Sequence, residues 1–170
     1  MTNVQNQLPN ILIASFTQAG DLLNSNQTNI QYLISIGHPE ESKPAGYHLV
    51  PHRLRLEFDD IPLPISGYTP PGRKDVEKII SFGTSAGVSG EGDLLIHCGA
   101  GISRSTAAAL GIFAASLKPQ AALLRVILIQ PEALPNRMMV RFADEILGCN
   151  GKLIEVTDNY IQSKLNKLRI

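Results

Sequence analysis

The segment DLLIHCGAGISRSTAAALGIF, residues 93–113, decides how this chain is read. Asp93 to Cys98 contains the continuous apolar run Leu94-Leu95-Ile96, the mark of a strand buried on both faces of a parallel sheet. Ser103 to Leu117 is Ala-rich and reaches no proline before Pro119, which predicts a helix. Between them, Gly99 and Gly101 permit a tight curl with amide hydrogens turned inward. Such a unit delivers Cys98 to the carboxyl end of its strand, the edge where α/β folds hold ligands.

Outward from this core, Ile11–Ser15 and Tyr32–Ile36 (YLISI) read as short buried strands, with room for a short helix between Phe16 and Asn26. His38 to Gly46 is turn-rich and reads as a surface loop. Arg53 to Phe58 (RLRLEF) alternates strictly, with Leu54, Leu56 and Phe58 on one face of a half-buried strand and Arg53, Arg55 and Glu57 on the other. A Pro- and Gly-rich loop follows Asp59-Asp60. Helices fit Gly72 to about Gly87, Ala121–Gln130, Asn136–Leu147 and Leu153–Leu168. Strands interleaved with helices and then a run of helices predict a single α/β domain over residues 1–170. Its central, mainly parallel sheet is flanked by helices, with a helical C-terminal part and about ten flexible residues at the start.

Composition sets the outer bounds. Apolar residues make up 44% and charged residues 18% of 170, as in ordinary globular proteins. Fifteen basic and 15 acidic side chains cancel, so no global field favours nucleic acid or a membrane, and any pull on an anion is local. The run Ile11–Ala14 is too short for a signal sequence or a membrane span. Two cysteines make no disulfide framework and fit a reducing cytoplasm. No metal-ligand spacing is present, no cofactor is implied, and a monomer is the default.

The chemistry follows from the loop. A helix starting near Ser103 turns its unsatisfied amides and positive dipole end toward the point where Cys98 sits. That makes an anion site from the amides of Gly99, Ala100, Gly101, Ile102, Ser103 and Arg104, and phosphate is its usual occupant. The same field favours thiolate over thiol at its centre. Arg104, six residues after Cys98, can fold a planar guanidinium over the anion and offer two parallel hydrogen bonds. The Ser105 hydroxyl can reach back to the sulfur and stabilise it as a leaving group, and the His97 ring can fix the loop.

HCGAGISRS, residues 97–105, resembles the His-Cys-x5-Arg-Ser/Thr loop of the protein tyrosine and dual-specificity phosphatase superfamily. RLRLEFDDI looks like the strand and acid loop of its small bacterial members, and ALPNRMM is similar to a Pro-Asn segment of the dual-specificity enzymes. The likeness spans roughly Ile30 to Leu147, and its specific part is the loop. It implies that Cys98 attacks phosphorus to give a phosphocysteine, that Arg104 and the loop amides hold the equatorial oxygens, and that an aspartate handles the leaving-group proton. Asp60 is the preferred aspartate, from the family pattern and from its parity with Leu54, Leu56 and Phe58; Asp59 is the fallback. No metal is implied.

The expected substrate is a phosphorylated protein or a small phosphomonoester, phosphotyrosine first, with phosphoserine or phosphothreonine tolerated. The chain has no Trp, so the Trp-Pro-Asp loop of one branch of tyrosine phosphatases is absent. GAGIS has no Lys, which argues against an inositide substrate. The alternatives are a phosphoinositide, nucleotide or RNA phosphatase with the same chemistry, or a phosphate-binding module without turnover. Sulfur transfer fits less well, since Arg104-Ser105 suits phosphate. Asn136 reads as a helix cap that can support the site, Tyr68 as an exposed loop tyrosine, and Cys149 as a spectator thiol, with a regulatory disulfide to Cys98 as the alternative. Lys164, Lys167 and Arg169 read as the solvated face of a helix, and His38, His48 and His52 show no useful spacing.

Overall fold

The apolar runs become strands β1 (Asn10–Ala14), β2 (Ile30–Gly37), β3 (His52–Glu57) and β4 (Asp93–His97). Among the residues described by the computed structural model, 8–25 and 28–167, these four form one sheet in the order β1-β4-β2-β3, parallel throughout. The helices are α1 (Phe16–Leu23), α2 (Arg73–Ser89), α3 (Arg104–Ala114), α4 (Pro119–Ile129), α5 (Arg137–Leu147) and α6 (Lys152–Lys167). The fold is therefore a single α/β domain with a helical C-terminal part, as the alternation of patterns predicts. The flexibility expected of the first ten residues falls mostly on residues 1–7, outside the described residues, and Asn10 already belongs to β1. The expected helix ends at Asn26 and Leu168, and the exposure expected of Arg169, also lie outside them.

Alternation along the strands builds two cores, one per sheet face. Tyr32, Ile34 and Ile36 of β2 and Leu94 and Ile96 of β4 face α2 to α6, while Leu33 and Leu95 pack with Ala19 and Leu23 of α1 on the opposite face. Ile30 breaks the parity of β2 because the register slips between Ile30 and Tyr32, a bulge against β4. Helix α3 lies within the larger core, with all eleven residues buried, which explains why its sequence after Arg104-Ser105-Thr106 is apolar on every face rather than amphipathic. A 3-10 turn at Tyr47–Leu49 has no counterpart in the sequence pattern, since three residues are too few to show a period.

Strand order matters most for function. With β4 between β1 and β2, Cys98 emerges between the carboxyl ends of its two neighbours, at Ser15 on one side and Gly37-His38 on the other. Ser15 caps α1 through its hydroxyl and a reciprocal Gln18 contact. The Asn136 side-chain oxygen accepts from the amides of Met138 and Met139, both at 3.1 Å, and caps α5.

Helices α2 and α3 cross at Gly83, where an added Cβ would lie 2.4 Å from Cδ1 of the buried Ile112. Gly83→Ala should therefore cost about 1–3 kcal/mol by overpacking. Gly111, whose added Cβ meets its nearest neighbour at 3.4 Å, should tolerate Ala or gain from its helix propensity. Urea midpoints of the two variants check the contrast.

Candidate active site

The loop after β4 is held from outside. The Gly99 carbonyl accepts from Phe16 N at 3.0 Å, Gly101 from the Gln130 side chain at 3.0 Å, and Ile102 from Leu134 N at 2.9 Å. Ser103 O accepts from Asn136 N at 3.3 Å as well as from Ala107 N in α3. With four carbonyls fixed outward, the amides that follow them, of Ala100, Ile102, Ser103 and Arg104, turn the other way, and among the described residues none of the amides of 99–104 donates to a protein group. Gly101 makes the curl possible: its φ is +73°, and an added Cβ would lie 2.6 Å from the Ala14 carbonyl carbon. Gly99 is less constrained, its added Cβ lying 3.5 Å from the Arg104 guanidinium.

Ser103 is the natural cap of α3, yet its hydroxyl makes no cap hydrogen bond. It donates instead to Asp60 Oδ1 at 2.7 Å, which leaves the first-turn amides of α3 open. Cys98, only 2% exposed, lies at the floor of this cradle with its sulfur 3.3 Å from the hydroxyl of the buried Ser105.

Arg104 is 2% exposed and held at its tip. Nη1 donates to the Phe58 carbonyl at 2.7 Å and Nη2 to His38 Nε2 at 3.3 Å. Its Nε is buried without a hydrogen-bond partner, 4.0 Å from Asp60 Oδ2. A buried guanidinium N–H left unsatisfied is costly unless a ligand completes it. Asp60 Oδ1 also accepts from Asn136 Nδ2 at 2.8 Å, so Asn136 both caps α5 and holds the carboxylate. Oδ2, on the Arg104 side, is the oxygen left to exchange a proton with a ligand.

No protein-family model matches the sequence, and no curated protein does. Solved structures do match. Human DUSP28 aligns at TM-score 0.64 and 19% identity, over 86% of this chain and 92% of its own. DUSP15 aligns at 0.64 and 25% identity, over 94% and 95%. PTPMT1, solved in complex with PI(5)P, aligns at 0.62 and 13% identity, over 86% and 94%. The fold is that of the dual-specificity phosphatases.

On this dual-specificity phosphatase fold, Asp60 and Asn136, which lie outside the 97–105 motif, meet the loop that carries Cys98, Arg104 and Ser105 through Ser103 and the bond between Asn136 and Asp60. Asp59, the fallback acid, points elsewhere: Oδ1 meets His38 Nδ1 at 2.8 Å and Oδ2 accepts from Thr69 N at 2.8 Å. Those bonds, the His38 contact first, hold its carboxyl below the usual value. The parity linking Asp60 to Phe58 does not survive the end of β3, since Phe58 is buried and Asp60 exposed.

Tyr68 is exposed, 56%, in the loop beyond Asp60. His52 stacks on Tyr32 at 4.7 Å, and the His48 carbonyl accepts from Arg53; neither His contact involves the loop. Cys98 and Cys149 are both free, and burial, with the Asp144 charge, pushes the Cys149 thiol up. Among the described residues, no three His, Cys, Asp or Glu side chains converge as metal ligands would, and no helix is long and apolar enough to cross a membrane.

Sequence reasoning missed three residues. His38 reaches Arg104, and Ser35 and Arg55 reach His97: Arg55 Nη1 donates to Ser35 Oγ at 2.9 Å, which lies 2.7 Å from His97 Nε2. Ser35, a hydroxyl inside the apolar run YLISI, was the available signal. The alternation of RLRLEF places Arg55 on the polar face of its strand, yet it turns back over Gly37, where an added Cβ would collide with it at 2.3 Å.

With Arg55 donating into Ser35, the buried serine hydroxyl has His97 Nε2 as its acceptor, which leaves the proton on Nδ1, beside the Cys98 backbone and without a well-formed hydrogen bond. Burial lowers the His97 pKa to about 4, only partly offset by that Cys98 contact. A folded-state value below the unfolded 6.5 means the native state resists protonation, so stability is complete above pH 6.5 and falls as pH drops toward 4. The loss is about 3 kcal/mol. Asp59 titrates below its ordinary 3.8, outside that window. Urea unfolding of His97→Asn should show a flatter stability profile between pH 6.5 and 4 than the natural protein.

Proposed function

We propose that the protein is a phosphomonoester hydrolase working through a phosphocysteine, with phosphotyrosine in proteins as its first substrate class and phosphoserine or phosphothreonine as accompanying ones. The observation that supports this reading is the loop around Cys98: carbonyls of Gly99, Gly101, Ile102 and Ser103 bonded outward, loop amides without a protein acceptor among the described residues, and an Arg104 Nε–H buried without a partner. The fold of DUSP28 and DUSP15 supports it, and RLRLEFDDI supports a small bacterial type.

In the first step the Cys98 thiolate attacks phosphorus, the P–O bond breaks, and the departing oxygen takes a proton from Asp60 Oδ2. The amides and the Arg104 fork hold the three equatorial oxygens as charge shifts. In the second step water attacks phosphorus, Asp60 takes the water's proton, and the S–P bond breaks toward a sulfur anion that accepts the Ser105 hydroxyl. Asp60 suits the acid role better than Asp59, whose two oxygens are occupied by donors that hold it ionised.

A phosphoinositide substrate is the second reading. Arg141 and Arg137, the latter paired with Asp158 at 2.7 Å, line a cleft of about 320 Å³ with Pro62 and Leu63, which follow Asp60 in the chain, and PTPMT1 was solved with PI(5)P. The absence of Lys from GAGIS weighs against it.

The purified protein should hydrolyse para-nitrophenyl phosphate without added metal. Cys98→Ser should drop turnover to below about one ten-thousandth while retaining oxyanion binding; unchanged activity refutes the nucleophile. Asp60→Ala should lower kcat about 100-fold for poor leaving groups and much less for good ones. If Asp59→Ala gives that pattern instead, the acid is Asp59. Phosphotyrosine peptides, phosphoserine peptides, inositides and nucleotides assayed side by side decide the substrate class.

A further inference from the structure

We propose that His38, oriented by Asp59, is a positioning residue that presents the Arg104 fork to the oxyanion, through one fixed imidazole tautomer. The inference rests on the phosphatase reading for its kinetic arm and on oxyanion binding alone for the other.

Arginine can only donate, so the 3.3 Å contact makes His38 Nε2 an acceptor from Arg104 Nη2. The His38 proton then sits on Nδ1, where it is donated to Asp59 Oδ1 at 2.8 Å. Asp59 is fixed in turn, because its other oxygen accepts from Thr69 N while its own amide donates to Thr69 O at 2.7 Å. His38 is anchored at its backbone, where its amide donates to Glu41 Oε2 at 3.1 Å. The chain Thr69–Asp59–His38–Arg104 thus runs from the loop beyond β3, through the end of β2, to the first residue of α3.

This chain engages the far tip of the guanidinium. Nη1 is taken by the Phe58 carbonyl and one Nη2 hydrogen by His38, which leaves Nε–H and the second Nη2 hydrogen as a parallel pair. Nη2 lies over the loop, 3.5 Å from where a Gly99 Cβ would stand. The free pair therefore faces the cradle before any ligand arrives, and the oxyanion need not supply the free energy of ordering Arg104.

Asp59 sets the tautomer because both of its oxygens must accept. An Asn there, keeping the Thr69 amide satisfied, would aim its NH2 at His38 Nδ1. The imidazole would then carry its proton on Nε2, and two N–H groups would face each other at Arg104.

The test measures orthovanadate binding by calorimetry alongside para-nitrophenyl phosphate kinetics. His38→Ala should weaken vanadate and raise KM about tenfold, a larger change than in kcat, with leaving-group dependence unchanged, unlike Asp60→Ala. His38→Gln, whose amide oxygen can accept from Arg104, should recover most of the affinity. Asp59→Asn should match His38→Ala despite its equal size, and should add nothing in the His38→Ala background.

His38 is half-exposed, so its variants should keep the urea midpoint of the natural protein within experimental scatter. Natural vanadate affinity and KM in His38→Ala overturn the inference and leave the phosphatase reading intact. Additive losses in the double variant overturn the link through the tautomer. A natural protein that neither binds vanadate nor hydrolyses the ester overturns the phosphatase reading and this inference with it.

Discussion

The outward hydrogen bonding of the Gly99, Gly101, Ile102 and Ser103 carbonyls is the constraint on which the site depends. A peptide unit cannot turn its C=O out without turning the adjoining N–H the other way, so fixing the carbonyls preorganises the amides. The partners come from the start of α1, the end of α4 and the segment leading into α5, so three separated pieces of chain set one loop. Preorganised donors of this kind need no rearrangement when charge arrives, which is where electrostatic catalysis gains its advantage. Local donors of this kind do not depend on overall charge, which is zero in this chain.

Asp59 and Asp60 show how environment divides two adjacent carboxyl groups. The backbone is leaving β3 at this point, so the two side chains diverge. Asp59 turns toward His38 and the Thr69 amide, which favour its ionised form. Asp60 turns toward Ser103 and Asn136, which occupy one oxygen and leave the other facing the cradle. In the proposed reaction, one carboxylate orders the arginine through an imidazole and the other moves a proton.

A second polar chain, Arg55–Ser35–His97, runs beneath the site through the sheet. Arg55 fixes Ser35 and Ser35 fixes His97 Nε2, while His97 Nδ1 stays buried without a hydrogen-bond partner. Burial keeps the His97 ring neutral next to Cys98, at the expense of stability in acid. Gly37 belongs to this arrangement, since only a residue without Cβ lets the Arg55 guanidinium fold back across the end of β2.

Local order along the chain was legible in the residues themselves. Continuous Leu94-Leu95-Ile96 spelled a central strand, RLRLEF a half-buried strand, and the glycines of HCGAGISRS a tight curl between strand and helix, because periodicity and glycine placement are properties of neighbouring residues. The preference for Asp60 and a supporting part for Asn136 were legible as expectations, but the contacts that separate Asp59 from Asp60, the bond from Asn136 to Asp60, and the contacts of His38, Ser35 and Arg55 were not. They depend on β4 inserting between β1 and β2, which brings residues 38 and 104 within 3.3 Å and residues 60 and 136 within 2.8 Å. Pairing order is decided by packing among distant segments, and no local pattern encodes it.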